Sequence, residues 1–432
     1  MRENRREFLR KSALTAVGAA LPAIVSPRVF AGKASVAPSD RIRLGFIGVG
    51  NRGGQNLDTF LGKLDRVDIV ALADVDANFL QAARQKVDAK TNGKCATYGD
   101  YRKLLERKDI DGVVVSTPDH WHALTTIDAC RAGKDVYCEK PLTLSIAEGQ
   151  AMVAAARDHQ RIVQTGSQQR SDDRFRLACE LVRSGRIGKV HTVRVGIAGV
   201  NFGKKKPLED RSEPPPELDY DFWLGPAPYR QYNPKHVHYN FRFFWDFSGG
   251  QMTNWGAHHL DIAQWGLGMD ESGPISAVGT ARYDAQKRFE VPEWCEVNYE
   301  YADGTKLICG QSQRGGTTFE GQDGTIFVTR DALETKPGDI ATEPLKDSDV
   351  HLYASKDHHG NWLDCIRSRK LPICDVAIGH RSATVCHLGN IAIRSQKTVH
   401  WDPAKEQMVD DAELQKMTSR PYRAPWSLSV TT

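Results

Sequence analysis

A glycine-rich segment directly after a short apolar run constrains the fold more than any other feature. Residues 42–47 are apolar enough to form a buried strand, and the glycines that follow are spaced Gly-x-Gly-x-x-Gly. The first glycine of such a pattern allows a tight turn. The second lets a pyrophosphate approach the main chain, and the third lets the next helix pack closely on the strand. The free N–H groups at the start of that helix favour phosphates. The predicted phosphate-binding residues are Gly48, Gly50, Asn51, Arg52 and Gly53.

An acidic residue follows the next predicted strand. Residues 67–73 form an apolar run, and Asp74 stands at its end. An acid about 20 residues beyond the glycines is placed to bind a ribose 2′-hydroxyl. Because a carboxylate there repels a 2′-phosphate, we predict NAD(H) rather than NADP(H). The alternative is an ordinary strand–turn–helix with a solvent-facing aspartate, which the ordered succession of strand, glycines, helix and acid disfavours.

The pattern of predicted secondary structure changes near residue 167. Before it, predicted strands alternate with predicted helices, which is typical of a parallel sheet with right-handed crossovers. After it, strands with a period of two are joined by short turns. We therefore predict an α/β protein with a Rossmann domain over 41–166 and, over 167–432, an α+β domain with a large, mostly antiparallel sheet for substrate binding and oligomerisation. The predicted strands of the first domain are 42–47, 67–73, 112–116, 134–138 and 162–166, and the predicted helices include 78–89, 123–132, 145–159 and 173–184.

The first 31 residues have the pattern of a twin-arginine export signal. Arg5 and Arg6 begin an Arg-Arg-x-Phe-Leu motif, an uncharged stretch follows from residue 12 to 27, and small residues mark a cleavage site near Ala31. This stretch is too short to span a bilayer permanently. A basic amphipathic first helix is the alternative. We expect an exported or periplasmic protein, with residues 32–40 as a linker.

Composition excludes several classes of function. The first 31 residues hold six basic and two acidic residues, which account for the whole formal charge of +4. The remaining chain is therefore neutral, so we predict no nucleic-acid partner. No other segment is long and apolar enough to cross a membrane, so we also predict no permanent membrane span. The nine cysteines show no zinc-binding spacing, and Cys130, Cys138, Cys309 and Cys386, which lie in apolar surroundings, are interpreted as small core residues.

Polar clusters follow two of the predicted parallel strands. One contains Thr117, Pro118 and His122, and the other contains Glu139 and Lys140. The carboxyl ends of parallel strands are where open α/β sheets bind ligands. The ammonium of Lys140 could donate to a substrate oxygen and favour a developing alkoxide. From spacing alone, a surface lysine in a loop is an equal alternative.

A second cluster lies between residues 249 and 261. If this segment is helical, Asn254 and His258 share one face, and Asp261 lies about one turn further on. A neutral histidine can accept a hydroxyl proton and later return it. A helix with two surface histidines is the alternative.

Aromatic and polar residues alternate densely over 236–246, a mixture that suits the apolar and hydroxyl faces of a sugar. An aromatic core edge or a subunit contact explains it equally well. Four histidines could supply a metal site, but no carboxylate or cysteine completes a ligand spacing, so we predict no metal. The predicted substrate contacts are Arg170, His238, Arg242 and His259.

Taken together, the glycine motif, Thr117-Pro118 with His122, and Glu139-Lys140-Pro141 resemble the glucose–fructose oxidoreductase / inositol dehydrogenase (Gfo/Idh/MocA) family from residue 42 to about 403. The resemblance implies that Lys140 contacts both the substrate hydroxyl and nicotinamide, and that the Lys140–Pro141 peptide is cis. It also implies an Asp-x-x-x-His element with histidine as the acid/base. Here Asn254 replaces that aspartate, so His258 is expected to be a weaker base unless Asp261 compensates. The implied cofactor-binding residues are the five of the glycine turn with Asp74, Thr117, Pro118, His122, Glu139 and Lys140, and the implied catalytic residues are Lys140, His258 and Asn254.

These observations predict an exported, homo-oligomeric NAD(H)-dependent oxidoreductase that acts on a hydroxyl of a sugar, polyol or glycoside. Free NAD is scarce outside the cytoplasm, so we expect a tightly bound cofactor that is recycled within each turnover. Three alternatives remain: a redox-neutral glycosidase that works by oxidation and elimination, a sugar-binding protein without turnover, and a metal-assisted lyase.

Overall fold

The computed structural model describes residues 40–91, 93, 95–202 and 213–428. The predicted export signal lies outside the described residues, and so does all of the predicted linker except its last residue. Within the described residues, no helix is long and apolar enough to cross a membrane. All nine cysteines are buried free thiols, consistent with their interpretation as core residues.

Six parallel strands form the first sheet, in the spatial order β3-β2-β1-β4-β5-β6. This is the strand order of a Rossmann fold, as predicted. β4 and β5 are buried along their whole length, as expected for strands covered by helices on both faces. The strands are β1 (Ile42–Ile47), β2 (Val67–Ala73), β3 (Ala96–Tyr98), β4 (Gly112–Val115), β5 (Asp135–Cys138) and β6 (Val163–Thr165). The helices between them are α1 (Asn51–Leu61), α2 (Ala77–Asp88), α3 (Tyr101–Leu105), α4 (Asp119–Arg131) and α5 (Ile146–Asp158).

Helix α4 begins four residues earlier than the sequence pattern predicts. Pro118 is its N-cap residue and Asp119 its first helical residue, where a carboxylate interacts favourably with the helix dipole. The aromatic and histidine residues that follow have weak helix propensity, so the sequence pattern did not predict this first turn of the helix. Its earlier start places Asp119 and His122 on a helix at the edge of the first sheet.

Nine strands form the second sheet, in the order β13-β12-β11-β7-β10-β9-β8-β14-β15. Among the strand pairs that the structure describes in this sheet, only β7–β10 is parallel, so the predicted mostly antiparallel sheet is confirmed. Its strands are β7 (Val190–Gly196), β8 (Ser276–Arg282), β9 (Trp294–Glu300), β10 (Lys306–Gly310), β11 (Gly316–Gly321), β12 (Thr325–Val328), β13 (Leu333–Lys336), β14 (Val399–Asp402) and β15 (Gln407–Met408). The remaining helices are α6 (Asp173–Arg183), α7 (Tyr220–Leu224), α8 (Gly250–Asn254), α9 (Gly256–Leu267), α10 (His358–Ser368), α11 (Val376–Ser395) and α12 (Ala412–Lys416).

One face of this second sheet is covered by helices. Alternate residues of β9, such as Val297 and Tyr299, are buried and belong to one core cluster with Leu260 of α9 and Ile391 of α11. The first sheet also receives residues from far along the chain. Trp362 of α10 is fully buried in the cluster that contains the apolar residues of β1 and α1.

Candidate functional site

A cavity of about 720 Å³ opens at the carboxyl ends of the first sheet. Its walls come from the β1–α1 turn, the ends of β2, β4 and β5, the start of α9 and the loop after β12. A short 3₁₀ helix, His238–Phe243, lies over one side. Most of the predicted site residues line this one cavity, namely Gly48, Gly50, Asn51, Arg52, Asp74, Thr117, Pro118, His122, Glu139, Lys140, His238, Arg242, Asn254 and His258.

The glycine turn has the geometry that a bound pyrophosphate requires. Gly48 has a φ of +80°, and a Cβ at that position would lie 2.8 Å from the Ser116 oxygen. A Cβ at Gly53 would lie 2.1 Å from the Gly48 oxygen. Helix α1 then begins without a side-chain cap and with no acidic residue in its first turn. Its free N–H groups are therefore available to an anion, so these residues fit a dinucleotide.

Gly50 is required for a reason that the sequence did not reveal. A Cβ at this position would lie 2.6 Å from the Phe79 ring, which comes from α2. Phe79 also lines the cavity. A larger residue at position 50 would therefore displace Phe79, whatever its effect on a bound phosphate.

Asp74 lies at the end of β2, where it was predicted, and also supports the glycine turn. Its Oδ2 accepts a hydrogen bond from the Val49 N–H at 2.8 Å, and its Oδ1 accepts one from the Asp76 N–H at 2.9 Å. Burial raises the pKa of Asp74 to about 6, although both hydrogen bonds oppose the shift. Its charge near neutral pH is thus sensitive to its surroundings.

Glu139 and Arg52 form an ion pair within the site. The Arg52 Nε donates to Glu139 Oε1 at 2.8 Å, and the same oxygen accepts from Asn56 at 3.0 Å and Gln168 at 3.2 Å. Burial alone would raise the pKa of Glu139, but Arg52 and Asn56 outweigh it, so that the pKa is lowered. Glu139 is therefore an ionised carboxylate whose charge Arg52 balances.

His122 joins the two strand ends that the sequence identified. Its Nδ1 lies 2.9 Å from the Pro141 oxygen and its Nε2 lies 2.9 Å from the Thr117 oxygen. The Lys140–Pro141 peptide is cis, as the resemblance implied. Both ring nitrogens of His122 are thus engaged by the main chain, which makes it a positioning residue.

Lys140 projects from the end of β5 towards the helices of the second half. Its Nζ donates to Asn254 Oδ1 at 2.9 Å and to the Asn254 main-chain oxygen at 3.1 Å. Burial lowers the pKa of Lys140 to about 8, against the opposing charges of Glu139 and Asp119. An ammonium with a pKa this low can donate to a substrate oxygen near neutral pH and also exchange protons there.

His258 lies on the first turn of α9 and faces the cavity. Its Nδ1 is buried, with no hydrogen-bond partner among the described residues. Burial lowers the pKa of His258 well below its usual value, and the charges of Lys140 and Arg330 lower it further. His258 is therefore neutral across the physiological range.

The predicted pairing of Asn254 with His258 is wrong. The Asn254 Oδ1 accepts from Lys140, and its Nδ2 donates to Gln251 Oε1 at 2.9 Å. The helix is also interrupted between the two residues, because α8 ends at Asn254 and α9 begins at Gly256. Asn254 thus positions Lys140. The sequence spacing could not reveal that Asn254 contacts Lys140 and not His258.

Arg170 does not line the cavity, which corrects its prediction as a substrate contact. Its Nε donates to both oxygens of Asp261, at 2.9 and 3.0 Å, and its Nη atoms donate to Asp270 at 2.7 and 3.1 Å. The Arg170 and Asp261 side chains are both only 1% exposed. Because Asp261 is ion-paired with Arg170, it cannot serve as the carboxylate partner of His258 that position 254 lacks.

The other predicted substrate residues divide into three locations. His259 does not line the cavity; it is buried and stacks on Trp255, which corrects its prediction. His238 lies in the cavity but near the end of β2, with its Nε2 3.6 Å from Asp76 Oδ2. Arg242 also lines the cavity, with its guanidinium 3.9 Å from the Tyr239 ring centre.

Several lining residues escaped the sequence reasoning. Asp119 is buried, accepts a 2.5 Å hydrogen bond from Ser248 Oγ and has a pKa raised by burial. Arg330 follows β12, and its Nε donates to Gln169 Oε1 at 3.2 Å. Neither residue belongs to a spacing motif. Arg330 lies in the site only because the second sheet ends beside the first. Among the described residues, no group of histidine, cysteine and carboxylate side chains could hold a metal ion.

The parallel sheet, the glycine turn and the polar cavity define an oxidoreductase-type protein with an NAD-binding Rossmann domain. Residues 42–167 match the model of the oxidoreductase family NAD-binding Rossmann fold, and residues 178–428 match the C-terminal alpha/beta domain of the same family. The chain belongs to the Gfo/Idh/MocA family.

Two similar proteins each match part of the chain. A glycosyl hydrolase family 109 protein of Shewanella pealeana is 36% identical over 177 residues, which cover 37% of this chain and 38% of that protein. The myo-inositol 2-dehydrogenase of Thermotoga maritima is 30% identical over 179 residues, or 41% of this chain and 48% of that enzyme. The chain thus matches less than half the length of either relative.

Solved structures match over most of the fold. The WlbA dehydrogenase of Bordetella pertussis, solved with NADH and UDP-GlcNAcA, has a TM-score of 0.63 at 20% identity and covers 84% of this chain and 99% of its own. The aldose-aldose oxidoreductase of Caulobacter crescentus has a TM-score of 0.63 at 19% identity, with coverages of 83% and 99%. At these identities the likeness establishes the fold alone.

Proposed function

We propose that this protein is an NAD(H)-dependent oxidoreductase that acts on a hydroxyl group of a sugar, polyol or glycoside. The observation that carries the proposal is that Lys140 and His258 face the same cavity as the glycine turn and Asp74. The site thus combines a dinucleotide cradle with a hydrogen-bond donor and a neutral imidazole.

The chemistry divides between the cofactor and these two side chains. The glycine turn and Asp74 would hold NAD, which would supply the hydride acceptor for oxidation of the substrate carbinol to a carbonyl. The Lys140 ammonium donates to the substrate oxygen and stabilises the negative charge that develops on it. His258 is neutral and accepts the hydroxyl proton, which it then releases through the open cavity. Reduction runs through the same groups in reverse.

We further propose that the cofactor is retained and that the protein is exported. The Arg-Arg-x-Phe-Leu motif supports export in a folded state. Retention is supported by Trp426, which lies near the C-terminus and packs against two cavity-lining residues, Trp121 at 4.8 Å and Phe222 at 5.6 Å between ring centres. A homo-oligomeric state stays a prediction.

The test begins with the protein purified without added nucleotide. Denaturation followed by mass spectrometry should release NAD or NADH in an amount close to that of the protein. Incubation with a panel of sugars, polyols and methyl glycosides should then reduce the bound cofactor, visible as nicotinamide absorbance. A protein that binds these ligands but never changes the redox state of added or bound NAD would favour the non-catalytic alternative.

A redox-neutral glycosidase is the second candidate, because relatives named glycosyl hydrolase family 109 proteins match 37% of this chain at 33–36% identity. This reaction would also begin with oxidation by the same residues. Release of the aglycone from a nitrophenyl glycoside with no net NADH would select it. Net accumulation of NADH with the glycosidic bond intact would select the dehydrogenase.

A further inference from the structure

Three cations face the reacting end of the cavity without an ion-pair partner. Lys140, Arg242 and Arg330 all line it, and in the described part of the chain no carboxylate oxygen lies within 4.0 Å of their nitrogens. Arg52 differs, because Glu139 balances its charge. Lys140 and Arg242 are half-buried, where cations are ordinarily paired, so this end of the cavity can receive an anionic group.

Arg330 is the most accessible of the three. It lies in the loop after β12, where its guanidinium stacks 5.1 Å from the Trp255 ring centre. Its Nε donates to Gln169, and the side chain is otherwise exposed towards the cavity. The two terminal nitrogens make no hydrogen bond among the described residues, and such a pair of nitrogens can bind a carboxylate through two hydrogen bonds.

Arg242 adds positive charge from the other wall. Its guanidinium stacks on Tyr239, and its Nε is buried without a hydrogen-bond partner among the described residues. The carboxylate that acts on the pKa of Arg242 is Asp119, which is hydrogen-bonded to Ser248. Asp119 and Glu139 oppose the charge of Lys140, and Asp331 opposes that of Arg330, but Glu139 is already paired with Arg52. A neutral sugar would leave the three cations without a paired carboxylate.

We propose that the substrate carries a carboxylate, as a hexuronic acid or its glycoside does, and that Arg330 binds that carboxylate. This inference rests on the proposed function, since it names the substrate class of the same site. A charged partner in a partly dry cleft contributes both affinity and orientation, because the fork fixes the sugar ring relative to Lys140 and His258.

The experiment compares methyl hexopyranosiduronates with the matching neutral methyl hexopyranosides in the gluco, galacto and manno series. Reduction of cofactor in the full-length mature enzyme gives kcat/KM for each. For at least one configuration we expect the acid to be preferred by roughly 10–10²-fold, the contribution of a charge-assisted hydrogen bond. The preference should fall as salt concentration rises.

Arg330→Gln should raise KM for the acid by roughly the same factor and thereby remove the preference of the enzyme for the acid over the neutral sugar. Arg314→Gln is the matched control, because Arg314 also stacks on an aromatic ring of the second sheet but pairs with Glu334 and does not line the cavity. Calorimetric titration of methyl hexuronide into the enzyme gives a second readout, in which Arg330→Gln should lose binding and Arg314→Gln should retain it.

The outcomes separate the two proposals. If neutral and acidic sugars reduce the cofactor equally, or if a hexose phosphate is preferred to the uronide, the carboxylate inference is wrong and the oxidoreductase stands. If Arg330→Gln weakens both sugars equally, Arg330 is structural and the inference is again overturned. If no sugar reduces the cofactor, the proposed function fails, and the calorimetry alone decides whether Arg330 binds a uronide.

Discussion

The ammonium of Lys140 donates to both oxygens of Asn254, the side-chain Oδ1 at 2.9 Å and the main-chain oxygen at 3.1 Å. Both acceptors are neutral, so this contact adds no opposite charge to offset the burial of the ammonium. The pKa of Lys140 accordingly lies at about 8, mainly because of burial. An aspartate at position 254, which the family resemblance led us to expect, would hold the lysine as a permanent cation.

Asn254→Asp should therefore extend activity to higher pH. Lys140 must be protonated to donate to the substrate oxygen, so wild-type turnover should fall as pH rises through about 8. A carboxylate within hydrogen-bond distance favours the ammonium and raises its pKa, which moves that alkaline limb upward. The measurement is the pH profile of kcat for cofactor reduction. Asn298→Asp adds the same charge on an exposed position of β9 and should leave the profile unchanged. Identical profiles for Asn254→Asp and wild type would mean that Lys140 protonation does not limit the rate.

Lys140→Ala should lose most turnover while keeping the fold and the bound dinucleotide. Removing one donor that stabilises a developing oxyanion typically costs about 10²–10³-fold in kcat. Circular dichroism and cofactor content should match wild type. Lys306→Ala, at an exposed position of β10, serves as the control with normal activity. Near-normal rates in Lys140→Ala would make the lysine structural.

Cofactor preference should depend on pH through Asp74. Its pKa is raised to about 6, so the carboxylate is charged at pH 8 and becomes neutral as pH falls towards 5. Discrimination against NADP(H) should therefore weaken over that interval, and the ratio of Kd values for the two cofactors measures it. The 2′-phosphate itself titrates near pH 6. The side chain of the Asp74→Asn variant cannot ionise, so the pH dependence of this variant reports the contribution of the 2′-phosphate alone. If wild type and Asp74→Asn showed equal pH dependence, Asp74 would have no part in cofactor selection.

Gly50→Ala should weaken NAD binding by displacing Phe79, since the added Cβ would lie 2.6 Å from the ring. Overpacking of this kind typically costs about 1–3 kcal/mol. Combining Gly50→Ala with Phe79→Ala should recover more cofactor affinity than the two single changes predict together. A strictly additive double variant would indicate that the phosphate, and not Phe79, excludes a side chain at position 50.

Asp261→Ala should destabilise the protein without changing KM for a sugar. It leaves the guanidinium of Arg170 with a single partner, Asp270, in a site where Arg170 is almost inaccessible to water. Breaking a buried pair typically costs about 3–5 kcal/mol in the free energy of unfolding, measurable by urea denaturation. Ser382→Ala removes only a neutral hydrogen bond to the same carboxylate and should cost less. A changed KM for the sugar with unaltered stability would indicate that Arg170 contributes to substrate binding.

The sequence predicted those features that depend on local spacing. Gly48, Gly53 and the position of Asp74 follow from a strand, a turn and a helix that adjoin in the chain, and the Rossmann sheet follows from the alternation of strands and helices. The antiparallel character of the second sheet was likewise visible in period-two strands.

Contacts between distant segments could not be predicted in the same way. Arg170 and Asp261 are separated by 91 residues, and their pairing depends on how α9 packs beside the end of the first sheet. Asn254 could reach either His258 or Lys140, and only the position of β5 decides between them. Arg330 carries no motif at all, because a loop arginine joins the site only when two sheets meet.

Trp362 has a consequence for how this fold can be divided. Its ring lies 5.9 Å from Phe60 and 5.9 Å from Tyr137, and it fills space beside Gly112, where a Cβ would touch it at 3.2 Å. The nucleotide-binding half is thus completed by a side chain that is synthesised some 200 residues after β6. A fragment cut after the first sheet would expose that apolar wall to water. The nucleotide-binding half is therefore not expected to fold in isolation. Its thermal unfolding and the release of its cofactor should occur together with the unfolding of the rest of the chain, in one cooperative transition.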